Sequence, residues 1–278
     1  MTRVQDLARF VGESAYADLS PSAREALKER VLDALGAAIG ALGAPPVEAV
    51  RRAIEECGGR PLCSLIGGGR TAPDRAALYN GALVRYLDFN DSYLAPGETF
   101  HPSDNLGAVL AAAELAGASG ETLLTSLAVA YEVQARLSEA APVRARGFHH
   151  TTQGAYAAAA GASRALGLDE TQTAHALAIS GTANNALRVT RTGHLSHWKG
   201  LAYPYVGSAA LQATLLARQG ITGPMEVFEG NKGFMKSIAG RFEVDWGTPG
   251  LESVTRTIVK RYNAEIHSQS AIEGLLEL

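Results

Sequence analysis

The chain has 278 residues, 46% of them hydrophobic and 19% charged, enough to bury a large core and too apolar for a disordered chain. Its formal net charge of −3 at pH 7 gives no electrostatic reason to expect nucleic acid or an anionic membrane surface as partner. Two cysteines, Cys57 and Cys63, are too few for a disulfide framework and match no common zinc spacing, which points to a reduced, cytoplasmic setting.

Helical periodicity dominates from the start. Leu7, Phe10 and Val11 mark a first amphipathic helix, without the apolar core of a signal peptide. Ser20-Pro21 opens a second helix running to Leu42, a cap followed by proline. Pro45-Pro46 ends that run and begins another, closed at Gly58-Gly59. Residues 62–66 read as a short strand or a crossing loop, and the glycines at 67–69 as a turn; the Gly-Lys-Ser/Thr ending of a phosphate loop is absent. Further helices are predicted over about 73–89, 104–117, 120–139, 151–166, 169–183 and 200–219, with Gly117, Gly167 and Gly220 at the expected C-caps. The Ala-rich run 157–162 suits helices whose backbones approach closely. The longest apolar runs, such as 106–118, stop well short of a membrane span.

Toward the C-terminus the character changes. Between 241 and 262, β-branched residues (Val254, Thr255, Thr257, Ile258, Val259) behind Gly247 and Gly250 predict a strand or two. Beyond His267 an amphipathic helix presents Ile272, Leu275 and Leu276 on one face, a stripe expected to be cut or to be completed by another polypeptide.

The chemistry concentrates in Asp88-Phe-Asn-Asp-Ser92 and Phe100-His-Pro-Ser-Asp-Asn105. Asp88, Asp91 and Ser92 stand at i, i+3, i+4 and would share one face of a helix. Leu106, Val109, Leu110 and Ala113 define the next helix face, with Ser103 as its expected N-cap and Asp104 in its first turn. His101 is thereby placed at a helix N-terminus, where the dipole disfavours imidazolium and free N–H groups attract a carboxylate. His149-His150 before Thr151 repeats the arrangement. As chain neighbours their side chains are expected to diverge, and no His-Glu-x-x-His pattern exists, so no metal is expected. An EF-hand fails on its own spacing, since counting from Asp88 its glycine position holds Tyr93 and its glutamate position Thr99. Arg188 and Arg191 (i, i+3), Lys199 within Trp198-Lys199-Gly200, Lys260 and His267 add basic and polar groups. Taken singly, Arg188, Arg191 and Lys199 are better read as surface charge; the groups around Lys260 and His267 read either as an anion clamp or as a polar connection.

The run Leu83-Val-Arg-Tyr-Leu-Asp-Phe-Asn-Asp-Ser-Tyr93, continuing to His101-Pro-Ser-Asp-Asn-Leu106, closely resembles the signature of the MmgE/PrpD family. Gly147-Phe-His149, Ala186-Leu-Arg-Val-Thr-Arg-Thr-Gly193, Trp198-Lys199-Gly200 and Glu265-Ile-His-Ser-Gln-Ser270 match further segments of that family in order. The resemblance implies a mainly α fold: a large all-helical domain over 1–240, then the beginning of an α+β lid domain over 241–278. Most of the lid lies outside this chain, truncated or supplied by a separate lid subunit. It also implies a homodimer and lyase or isomerase chemistry on a small polycarboxylate substrate, with no metal and no cofactor. The family's functional positions fall on Asp88, Ser92, His101, His149, Lys199 and Lys260, with Ser92 standing where threonine is common; Arg188, Arg191 and His267 are further candidate substrate-binding groups. In this scheme His101, oriented by Asp88, removes the C–H proton. Lys199 and Lys260, with Arg188 or Arg191, neutralise substrate carboxylates and the enediolate, and His149 or Ser92 attends the leaving hydroxyl. Dehydration of 2-methylcitrate or a closely related β-hydroxy tricarboxylate is the leading expectation. A decarboxylase like cis-aconitate decarboxylase, an epimerase of a related polycarboxylate, and a non-catalytic helical subunit are the alternatives.

Overall fold

The computed structural model describes residues 1–248 and 250–278. Among them the α-helices are α1 (Arg3–Glu13), α2 (Pro21–Gly40), α3 (Pro45–Cys57), α4 (Pro73–Tyr86), α5 (Leu106–Ala116), α6 (Gly120–Ala140), α7 (Thr151–Leu166), α8 (Glu170–Ala183), α9 (Trp198–Arg218) and α10 (Gln269–Glu277). Two short antiparallel hairpins join β1 (Cys63–Ser64) to β2 (Arg70–Thr71) and β3 (Tyr93–Ala95) to β4 (Glu98–Phe100). The fold is mainly α, and no single helix is long and apolar enough to cross a membrane among the described residues.

Helix ends follow local chemistry. The Ser20 hydroxyl accepts the Ala23 N–H, with Pro21 at the first helical position of α2. Asp169 caps α8 by accepting from Gln172, whose side chain completes a capping box. Gly117 and Gly167 adopt the left-handed conformation that closes α5 and α7.

The core is built from small residues. On α7, Ala155, Ala157, Ala158, Ala159, Ala160 and Ala162 are all fully buried, so this helix is wrapped by its neighbours on every side. A Cβ on Gly107 would lie 2.6 Å from the Ala77 carbonyl and 2.8 Å from the Gly81 nitrogen, which measures how closely the backbones of α5 and α4 approach. On α8, Gly181 leaves room for the Tyr156 ring. This close packing brings the C-terminal end of α4 together with the N-terminal ends of α5, α7 and α9, and the loops between them carry the polar residues.

The predicted strands over 241–262 do not form among the described residues. Val254 and Thr255 lie in a 3-10 turn, Ser253–Arg256, and only Ile258 makes a bridge, exchanging backbone hydrogen bonds with Ser92 at 2.9 and 2.8 Å. Side chains hold this backbone in place of a strand partner. Arg30 donates to the Thr257 hydroxyl (2.7 Å) and carbonyl (3.0 Å), while Glu132 accepts the Ser253 N–H at 3.0 Å. Helix α10 forms, but Leu275 and Leu276 are 73% and 69% exposed.

Candidate active site

Helix α4 stops at Tyr86, short of the predicted residue 89, because Asp88 takes a left-handed backbone with φ of 52°. Asp88, Asp91 and Ser92 therefore do not share a helix face. The Asp88 carboxylate accepts from Arg85 Nη1 at 2.5 Å, Lys199 Nζ at 3.2 Å and Lys260 Nζ at 3.4 Å, and Lys260 also donates to the Asp88 carbonyl. Burial alone would raise this carboxyl's pKa, but Arg85 and Lys260 hold it well below the usual carboxylate range.

Asp91 turns away from that cluster. Its Oδ1 accepts from the Ser103 N–H (3.0 Å) and hydroxyl (2.7 Å), and its Oδ2 from the Tyr131 hydroxyl (3.0 Å). Ser103 is thus not the cap of α5: a 3-10 turn, Pro102–Asn105, precedes the helix, and the Ser103 hydroxyl points at Asp91 instead. Asp104 lies in that 3-10 turn, ahead of α5. It is 3% exposed, accepts from Asn90 Nδ2 at 2.9 Å, and its Oδ2 lies 3.7 Å from Arg85 Nε. Burial, only partly opposed by Arg85, pushes its carboxyl up to about 6.

His101 is oriented by the backbone of Asp91, not by the Asp88 carboxylate. Its Nδ1 lies 2.8 Å from the Asp91 carbonyl, a group that only accepts, so Nδ1 carries the proton and Nε2 the lone pair. Ser92 Oγ, 3.2 Å from the same Nδ1, braces the ring from behind. Nε2 makes no hydrogen bond among the described residues. Burial first, then Arg85, holds the imidazole pKa well below its ordinary value, so the ring is neutral near pH 7.

The two adjacent histidines do not diverge; their ring centroids are 4.1 Å apart. His149 is fully buried, with Nδ1 3.1 Å from the Thr151 hydroxyl and Nε2 accepting from Arg191 Nε at 2.6 Å. Burial and the Arg191 guanidinium lower its pKa to about 2. A histidine so held is neutral, with its one N–H on Nδ1, and its Nε2 lone pair is committed to Arg191. Arg191 itself is lowered to about 10 by burial and by Arg85, and stays cationic near neutrality.

These loops enclose a cavity of ≈ 260 Å³. Arg144, Arg188, Arg191, Lys199 and Lys260 line it against two carboxylates, Asp88 and Glu265, a formal excess of three positive charges. Three imidazoles, His101, His150 and His267, complete its polar wall. Of the nine candidate residues, Asp88, His101, Arg188, Arg191, Lys199, Lys260 and His267 meet here, while Ser92 and His149 stand directly behind the wall. Sequence reasoning missed Arg144 and Arg85. Arg144 had a signal, a basic loop immediately before Gly147-Phe-His149; Arg85 was visible only as a charge following the apolar run Ala82-Leu83-Val84, and it is 2% exposed. No group of three or more His, Cys, Asp or Glu side chains is placed to hold a metal ion among the described residues.

The chain is similar to known proteins over most of its length. The MmgE/PrpD N-terminal domain matches residues 5–247. The chain is 32% identical over 225 residues to 2-methylcitrate dehydratase of Cupriavidus necator, covering 74% of this chain and 45% of that protein. It has the same identity and coverage with 2-methylcitrate dehydratase of Escherichia coli (strain K12). A cis-aconitate decarboxylase-like protein of Aspergillus oryzae is 28% identical over 240 residues, 82% of this chain and 49% of that protein. The chain thus spans about half the length of the curated relatives it matches. With the domain match running through nearly all of the helical body and through the loops that carry Asp88, His101 and Lys199, the chain belongs to the MmgE/PrpD family.

Proposed function

We propose that this chain carries the helical half of a hydro-lyase site that dehydrates 2-methylcitrate or a closely related β-hydroxy tricarboxylate. The observation that carries the reading is a neutral His101 with a free Nε2, set in a cavity whose three excess positive charges equal the charge of a tricarboxylate. His101 Nε2 takes the proton from the carbon beside a carboxylate. The electron pair left on carbon forms the new double bond as the C–O bond to the neighbouring carbon breaks. Arg188, Arg191 and Lys199 hold the carboxylates and the negative charge that develops on them. Lys260 is 4% exposed, and burial lowers its pKa despite Asp88; it is the acid placed to protonate the departing hydroxide, so that water leaves. Each acid or base role is worth about 10²–10⁴-fold in rate.

Dehydration creates an alkene conjugated with a carboxylate, which ultraviolet absorbance follows directly. The likeness to a protein named cis-aconitate decarboxylase-like favours one second reading, decarboxylation, which release of carbon dioxide distinguishes. We further propose that turnover takes place in a homodimer whose lid, an α+β segment, sits over α10. The exposure of Leu275 and Leu276, and the position of Glu265, Ile266 and His267 at the cavity rim just before that helix, support this. The assay is therefore run on the chain alone and with the C-terminal half of the Cupriavidus necator relative supplied in trans. Loss of at least about a hundredfold in His101→Ala and in Lys199→Ala is expected. Near-normal turnover in both would sink the assignment, and silence of every mixture in both assays would favour a non-catalytic helical subunit.

A further inference from the structure

His150 closes the loop before α7, where its carbonyl accepts the Gly154 N–H at 3.0 Å. Its ring lines the cavity beside His101, with centroids 5.9 Å apart and the planes at 72°. The Tyr203 ring lies on another side at 6.2 Å. The residue is 3% exposed, and its Nε2 is buried with no hydrogen-bond partner among the described residues. Its aromatic neighbours already have partners of their own. His101 Nδ1 has the Asp91 carbonyl, His149 Nε2 has Arg191, and the Tyr203 hydroxyl donates to Asn105. His150 Nδ1 has no hydrogen-bond partner among the described residues either, and unlike Nε2 it keeps accessible surface, so it is the ring nitrogen that a molecule in the cavity can meet.

The chemistry of the ring narrows what that molecule offers. Burial, with His149 and Arg191 close by, keeps the imidazole neutral. A neutral imidazole has one N–H and one lone pair. A carboxylate only accepts, and the cavity already meets carboxylates with five cations. A hydroxyl both donates and accepts, so it can pair with whichever ring nitrogen faces it. Position agrees with this. In a β-hydroxy acid the hydroxyl and the proton to be removed sit on adjacent carbons, so a group that reads the hydroxyl must stand next to the base, as His150 stands next to His101.

We propose that His150 is the specificity-determining contact for the substrate hydroxyl, favouring hydroxylated polycarboxylates over the same acids lacking that group. The inference rests on the polycarboxylate reading of the cavity, and a binding experiment on the whole chain separates the two. Citrate and tricarballylate, which differ by the hydroxyl alone, are titrated calorimetrically into wild type, His150→Phe and His150→Gln. Wild type is expected to prefer citrate by about tenfold or more. In His150→Phe the preference should collapse to within about twofold, with tricarballylate affinity unchanged. His150→Gln, which keeps a donor and an acceptor, should restore part of it. Should the Phe variant fail to give a wild-type circular dichroism spectrum, His150→Leu replaces it. An undiminished citrate preference in the apolar variant, an equal loss of affinity for both acids, or no preference in wild type would overturn the role of His150 while leaving the cationic site standing. Failure of wild type to bind either acid would overturn the polycarboxylate reading and this inference with it.

Discussion

Replacing Asp88 by asparagine separates charge from shape at the node of the site. Asparagine tolerates the left-handed φ of 52° as well as aspartate does, so the backbone stays put. What is lost is the negative charge that Arg85, Lys199 and Lys260 meet at 2.5, 3.2 and 3.4 Å. Hydrogen bonds to charged groups contribute about 1.5–3 kcal/mol each. The Lys199 contact, with both side chains 35% exposed, counts for less than about 1 kcal/mol. Arg85 keeps Asn90 Oδ1 at 3.1 Å, and Lys260 keeps the residue 88 carbonyl, so neither is left wholly unpaired. Asp88→Asn should therefore cost about 3 kcal/mol of folding stability, read from urea unfolding at neutral pH. A loss below about 1 kcal/mol would refute the view that this carboxylate organises the buried cations.

The same variant makes a second, opposite demand. The cavity's formal excess of positive charge rises from three to four, so citrate affinity should not fall. Asp88 is also what opposes the effect of burial on Lys260, and without it that ammonium becomes more acidic still. The alkaline limb of turnover should accordingly move to lower pH. Weakened citrate binding combined with an unmoved alkaline limb would mean that Lys260 is not the acid.

Asp104 gives a stability prediction with a defined sign. Its folded pKa, about 6 against an ordinary 3.8, means that the folded state holds the proton more tightly; the associated stability is present below about pH 4 and is lost as pH rises through about 6. A shift of about two units is worth roughly 3 kcal/mol, so Asp104→Asn should flatten the fall in urea midpoint between about pH 4 and 6.5 and exceed wild type at pH 7.5. An unchanged slope would place the titration elsewhere. Arg191→Leu should weaken citrate binding about tenfold, and His149→Phe should do so in the same direction but less, because His149 aims Arg191; calorimetry on both checks this, and an unaffected His149→Phe would show that Arg191 needs no such support. Gly107→Ala should cost about 1–3 kcal/mol by forcing α4 from α5, whereas Gly36→Ala at an exposed position of α2, with nothing within 4 Å of the added Cβ, should gain about 0.5–1 kcal/mol; thermal unfolding reads both.

What was legible in the sequence was local. Ser20-Pro21 marked a helix start and Gly117 and Gly167 marked stops, because the chemistry of a cap is complete within a few residues. The segment around Val254–Val259 misled because strand propensity is settled by partners, and here the partners are Arg30 and Glu132, 227 and 121 residues away. Ser103 misled for a related reason: a better acceptor, Asp91, took its hydroxyl from the helix. In the site, residue types at Lys199 and Lys260 were readable, but their meeting on Asp88 spans 111 and 172 residues and depends on a left-handed turn that periodicity does not encode.

That meeting also gives the cations of the cavity wall an internal counter-charge. Asp88 relieves the repulsion at Lys199 and Lys260 and at Arg85 behind them. Its partners are not equivalent. Arg85 and Lys260 have side chains 2% and 1% exposed and are fixed, whereas Lys199, at 35%, is held by a single partly solvated contact. An incoming carboxylate competes with Asp88 on nearly equal terms for Lys199 and on poor terms for the other two. In the mechanism proposed above, Lys199, on the first turn of α9, is therefore the cation that would exchange an internal partner for an external one, while Lys260 would keep its place. On that proposal, a site organised in this way would lose little free energy to reorganisation on binding and would hold its acid and base in place beforehand.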